Sequence, residues 1–158
     1  MIDDPQRIYQ AQLERGSRAM VRGDVEAVLT LTALPVQIVL ADCDLVVATE
    51  ADLASLVRGY AARLKAESVV EAREGCTGAA YVTADADLIA GTHFTEWRHA
   101  DGRAPYRFVN RLVMMRFTEG WKSLWLHSGL ARSQGEVIRP HVAASGAATR
   151  RAAGALHR

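Results

Sequence analysis

"YRFVNRLVMMRFTEGWKSLWLHSG", residues 106–129, reads as two long strands joined by a tight turn at Glu119-Gly120. Side chains alternate along a strand, so each run sorts into two faces. On the first run one face carries Arg107, Val109, Arg111, Val113, Met115 and Phe117, and the other Tyr106, Phe108, Asn110, Leu112, Met114 and Arg116. On the second, Trp121, Ser123, Trp125 and His127 share a side opposite Lys122, Leu124, Leu126 and Ser128. Both faces of the first run are substantially apolar. A sheet of this kind must cover both, one with its own helices and the other most simply with a second copy of the chain.

Working outward, "LIAGTHFTEWRH" (88–99) reaches this stretch through a turn at Asp101-Gly102. "SVVEAREGCTGAAYVT" (68–83) precedes it across a turn in "ADAD", with Gly75 and Gly78 marking a bend or bulge. In the run 88–99, His93, Thr95 and Trp97 fall on one face, and Phe94, Glu96 and Arg98 on the other. Further back, Thr49 and Asp52 resemble a capping box that opens a helix with Leu53, Leu56, Val57, Tyr60, Ala61 and Leu64 in 3.6-residue register. Pro35 opens a β-branched hairpin interrupted by a turn at Asp42-Cys43-Asp44. A first helix runs from about Asp3 to Arg22, interrupted but not ended by Gly16, and a second covers "VEAVLTL". Gly23 stops one and Asp24 caps the other, which leaves the "RGD" triplet between two helices and without an adhesion role. Four long antiparallel strands, a short hairpin and three preceding helices make an α+β domain.

The 158 residues suit one domain, which we place at 1–130, followed by an Ala/Arg-rich tail at 131–158. A net charge of +1 offers no bulk attraction for nucleic acid or acidic membranes. No apolar run approaches the roughly 20 residues that span a bilayer, and "MIDDPQRIYQ" is no signal peptide. Cys43 and Cys76 lack CxxC spacing, which fits structural thiols in a reducing cytoplasm. HxH, HExxH, P-loop, dinucleotide and GxSxG patterns are all absent, so we expect neither a metal nor a cofactor.

With "RGDVEAVLTL" after a first helix, "TEADLASLVRGYAARL" in the third and "RFTEGWKSLWLHSG" at the end, the chain over residues 3–130 resembles the nuclear transport factor 2-like superfamily, which includes ketosteroid isomerases and SnoaL-like polyketide cyclases. The resemblance implies a cone: a curved antiparallel sheet whose concave face, lidded by three helices, forms an apolar pocket, and whose convex face often dimerises. Carried over residue by residue, it places Trp125, His127 and Gly129 on the concave phase of the last strand. By the same register Arg111, Val113, Met115 and Phe117 point inward, as do His93, Thr95 and Trp97, with Tyr60 as a pocket-facing tyrosine. The isomerase machinery does not carry over. Its donor tyrosine falls at Gly16, its oxyanion-hole acid at Val113, and its base in "PVQIVLA", with Asp42 only in the turn.

These residues lead to a small-molecule-binding domain whose pocket is lined by Tyr60, His93, Thr95, Trp97, Arg111, Val113, Met115, Trp125 and His127. Arg111 on an apolar face calls for an anion, so the expected ligand is small, partly apolar and anionic. Phe108, Leu112, Met114, Leu124 and Leu126, on the opposite phase, would form a homodimer face. The alternative is a cofactor-independent cyclase, dehydratase or isomerase with His127 or His93 as general acid/base.

Overall fold

The structure, a computed structural model, describes residues 2–41 and 43–130, and the backbone of 148–151. Asp42 and the rest of the C-terminal tail lie outside the described residues.

Helix α1 (Pro5–Arg22) starts where the Asp4 carboxylate accepts the Gln6 N–H and Pro5 fills the first turn. It ends at Gly23, whose left-handed backbone (φ 66°) lets its N–H and that of Asp24 reach back to Met20 and Ala19 carbonyls. The Asp24 side chain then accepts the Ala27 N–H and caps α2 (Val25–Leu31). The Thr49 hydroxyl accepts the Asp52 N–H and opens α3 (Glu50–Ala66), the N-terminal half of the expected capping box. Leu53, Leu56, Val57 and Leu64 are buried along α3.

The strands are β1 (Thr32–Val39), β2 (Cys43–Val47), β3 (Val69–Tyr81), β4 (Leu88–His99), β5 (Tyr106–Phe117), β6 (Gly120–Ser128) and β7 (Ala148–Arg151). They form one sheet in the order β3-β4-β5-β6-β1-β2-β7. The set is mixed, because β1 runs parallel to β6 while every other pairing is antiparallel. Cys43 is the first residue of β2 and is buried against the core, so it is not the turn residue its flanking aspartates imply. The three helices cover one face of the sheet, giving the α+β cone.

Two bulges decide which side chains face the helices. In β3 the pairing with β4 shifts between Cys76 and Gly78, leaving Thr77 as the extra residue. Gln10 on α1 closes the ladder beside it, donating to the Glu74 carbonyl (3.1 Å) and accepting the Cys76 N–H (2.8 Å). In β6 the pairing with β5 shifts at Leu124: Ser123 lies opposite Met114, but Trp125 opposite Val113. Trp121, on the helix side, packs near Tyr81, while Trp125 lies on the outer side near His127. Strict alternation had put Trp121, Ser123, Trp125 and His127 together, and the extra residue at Leu124 separates them.

On β5 the buried set is Phe108, Asn110, Leu112 and Met114, whereas Arg107, Val109 and Arg111 are exposed. The concave face is therefore the phase opposite to the expected one. Phe108, Leu112, Met114 and Leu126, taken above for a homodimer face, pack into the core beneath the helices. Glycine is required where α1 meets β4, since a Cβ at Gly91 would stand 2.6 Å from the Tyr9 ring.

Candidate functional site

A cavity of about 220 Å³ lies between the helices and the concave face. Its apolar wall includes Leu13, Met20 and Val21 of α1, Val28 of α2, Val36 and Ile38 of β1, and Leu53 and Leu56 of α3. Gly16 also lines it, and a Cβ built there meets no atom within 4 Å. The position where an isomerase would carry its donor tyrosine is thus open space.

Across the floor runs a polar chain, one side chain from each of four adjacent strands: Ser128, Asn110, Thr95 and Glu74. The Ser128 hydroxyl donates to Asn110 Oδ1 (2.9 Å), Asn110 Nδ2 to Thr95 Oγ1 (2.7 Å), and the Thr95 hydroxyl to Glu74 Oε1 (3.1 Å). Its direction is fixed from one end. The Leu130 N–H donates to Ser128 Oγ at 3.3 Å, and the Gly129 N–H, whose main acceptor is the Val109 carbonyl at 2.8 Å, is shared with Asn110 Oδ1 at 3.3 Å. A backbone N–H can only donate, so Oδ1 must be the amide atom facing Gly129, and Nδ2 then faces Thr95. Thr95 accepts from Asn110 and so turns its own proton onto Glu74. Every proton in the chain points at one carboxyl oxygen.

Glu74 is half-buried and lines the cavity, with protein packed around most of the residue. Removal from water pushes its carboxyl up to about 7, against which the Thr95 hydrogen bond pulls down. Among the described residues no hydrogen bond or ion pair reaches Oε2. Beside it, His93 Nδ1 and the Tyr9 hydroxyl are 2.8 Å apart, and burial holds the imidazole down at about 4, neutral near physiological pH. Burial raises the phenols of Tyr9 and Tyr60, and for Tyr60 the Glu74 charge adds to the rise.

Of the residues expected at the pocket, Tyr60, His93 and Thr95 line the cavity. Trp97 is buried behind its wall, against Tyr60, Tyr106 and Phe108, with its indole Nε1 unpartnered. Arg111, Val113, Met115, Trp125 and His127 lie on the other side of the sheet: Arg111 pairs across with His127 and Val113 with Trp125, and Arg111 and His127 are exposed. The anion argument from Arg111 falls with this placement, since an exposed guanidinium is already solvated. Phe117 and Gly129, also expected inward, are exposed.

Glu74, Asn110 and Ser128 were not singled out from the sequence. Arg107 and Arg111, two residues either side of Val109, mark the outer phase of β5 by the cost of burying charge, and that signal alone would have turned Asn110 inward. Glu74 stands directly opposite Thr95 in the β3–β4 pairing. The Thr77 bulge hides that pairing from simple counting. Among the described residues, no three His, Cys, Asp or Glu side chains converge as a metal site requires, and no helix is long and apolar enough to cross a membrane.

No protein-family model and no curated protein sequence matches the chain. Solved structures do match. An NTF2-like protein of unknown function from Shewanella oneidensis superposes with a TM-score of 0.56 at 13% identity, over 77% of this chain and 96% of that one. The chain has the nuclear transport factor 2-like fold. An NTF2-like protein with a cystatin-like fold from Novosphingobium aromaticivorans gives 0.58 at 16% identity, over 85% of this chain and 89% of its own. A cystatin-like domain of unknown function from Nostoc punctiforme gives 0.60 at 10% identity, over 86% and 84%. At these identities the likeness carries the NTF2-like architecture and no activity.

Proposed function

We propose that the concave face of this NTF2-like cone binds a small, mostly apolar molecule that presents one hydrogen-bonding group to Glu74. The observation that carries this reading is the juxtaposition of an apolar cavity with a carboxyl oxygen, Glu74 Oε2, that no group among the described residues satisfies. An acceptor that opens into an apolar cavity is a place where a ligand donor can be fixed, and a ligand donor supplies the partner here. The arrangement also replaces the expected anionic ligand, because among the described residues no Lys or Arg lines the cavity.

The test is binding of 2-phenylethanol, followed by ligand-observed NMR, to the wild type and to Gly16→Phe. The new ring enters space that is empty in the wild type. Saturable binding lost in a folded Gly16→Phe variant supports the reading, whereas no binding to the wild type, or equal binding to both, contradicts it.

A second reading has one observation in its favour. A carboxyl held at about 7 is suited to both giving and taking a proton, so Glu74 replaces His93 and His127 as the candidate general acid/base of a cofactor-independent enzyme. His127 is exposed on the far side of the sheet, and His93 is held neutral. Turnover of any bound carbonyl compound that is abolished by Glu74→Gln would establish it.

A further inference from the structure

We infer that the cavity selects ligands carrying a basic amine, bound as the ammonium against Glu74 Oε2, over neutral and anionic molecules of the same shape. This rests on the small-molecule reading above and deepens it to a ligand class. The argument begins with the direction of the polar chain. Backbone N–H groups of Gly129 and Leu130 orient Ser128, Asn110 and Thr95 so that each donates toward Glu74. Three aligned donors favour a negative charge at the end of the chain and are poorly arranged for an anion anywhere else in the cavity.

The second step is charge balance. Among the described residues Glu74 is the one carboxylate that lines the cavity, and no Lys or Arg lines it to neutralise the charge. Tyr9 of α1 and Tyr60 of α3 lie close enough to feel its charge, and His93 of β4 and Cys76 of β3 stand beside Tyr9. None is a cation near neutral pH: the phenols are held protonated and the imidazole neutral by burial. On α1, Arg15 is exposed and donates to Gln12 Oε1. A buried charge is stable when paired, so the missing counter-charge is the ligand's to bring. The third step is the wall. Tyr60 and Phe108 line the cavity and supply ring faces on which an ammonium is better placed than a carboxylate.

The experiment titrates three probes of matched shape, 2-phenylethylamine, 2-phenylethanol and 3-phenylpropanoate, into the wild type and Glu74→Gln by calorimetry at pH 5.5 and pH 8. At pH 8 the amine should bind the wild type about tenfold or more tightly than the alcohol, the increment of a charge-assisted hydrogen bond, and the carboxylate more weakly than either. Because the carboxyl titrates at about 7, the amine's advantage should shrink at pH 5.5, where Glu74 is protonated. In Glu74→Gln it should vanish at both pH values. An amine no tighter than the alcohol at pH 8, an advantage that persists in Glu74→Gln or is independent of pH, or a carboxylate that binds as well as the amine, overturns the inference while leaving the small-molecule reading in place if the alcohol binds. The wild-type pH comparison decides the matter should Glu74→Gln fail to fold. If none of the three binds, the inference and the small-molecule reading both fall.

Discussion

Asn110 Nδ2 lies 2.7 Å from Thr95 Oγ1, and the direction of that bond is dictated from the opposite side of the amide, where the Gly129 N–H meets Oδ1 at 3.3 Å. That N–H, shared with the Val109 carbonyl at 2.8 Å, favours Oδ1 on its side of Asn110, which turns Nδ2 to Thr95 and the threonine hydroxyl to Glu74. The candidate site is one hydrogen-bonded unit that spans β6, β5, β4 and β3.

Asn110→Ala should therefore cost more than one hydrogen bond. It removes the acceptor of the Ser128 hydroxyl and the donor that orients Thr95, while the Gly129 N–H keeps its 2.8 Å bond to the Val109 carbonyl. We expect a loss of roughly 2–4 kcal/mol by urea denaturation, since unsatisfied buried groups carry their full desolvation cost. A loss under about 1 kcal/mol would mean that water replaces the chain.

Glu74 and His93 should give opposing pH dependences. Folding lowers the His93 pKa from 6.5 to about 4, so stability is lost as pH falls through that window, where only the unfolded chain takes up the proton. Folding raises the Glu74 pKa from 4.5 to about 7, so its contribution is lost as pH rises through that window, where the folded chain still holds a proton that the unfolded one has released. The two overlap and nearly cancel in the wild type. Glu74→Gln should expose the histidine slope, with stability falling on acidification. His93→Gln, which can still accept from Tyr9, should expose the glutamate slope, with stability falling toward pH 7. Each contribution is on the order of 3 kcal/mol over its full range. Parallel profiles for the wild type and both variants, measured by denaturant midpoints, would contradict the assigned environments.

Gly16→Ala should stabilise the protein. Gly16 lies within α1 and nothing stands within 4 Å of a Cβ there. The helix gains about 0.5–1 kcal/mol from alanine's smaller loss of backbone entropy, with no steric charge against it. An increase in Tm with probe binding retained is the expected result, and a decrease would show that the space beside α1 is not open.

The helices, their caps and the succession of strands were legible because each rests on local chemistry: Asp24 and Gly23 punctuate α1 and α2, and Thr49 opens α3. The parallel pairing of β1 with β6 was not, since it joins segments at opposite ends of the domain with no shared turn to set a register. The site was half legible. His93 and Thr95 follow from simple alternation on β4, which runs without a bulge against β5. Trp125 and His127 were misplaced because one extra residue at Leu124 reverses every side chain beyond it. Arg111 was turned inward by a register borrowed from likeness, against the elementary rule that unpaired charge stays in water.

Arg111→Leu now has a different expected outcome from the one its inward placement required. It should leave probe binding in the cavity unchanged, because Arg111 is exposed across the sheet from Asn110 and Leu112. A several-fold change in 2-phenylethanol affinity, read by ligand-observed NMR, would show that the two faces communicate.

The central claim is that Glu74 faces the apolar cavity with its charge uncompensated by any described protein group. The most direct measurement is the carboxyl titration of Glu74 by carbon-detected NMR on protein labelled at glutamate, assigned by comparison with Glu74→Gln. The account predicts a midpoint at about 7 in the free protein. A midpoint near 4.5, the ordinary value, would place Glu74 in bulk water and contradict the account.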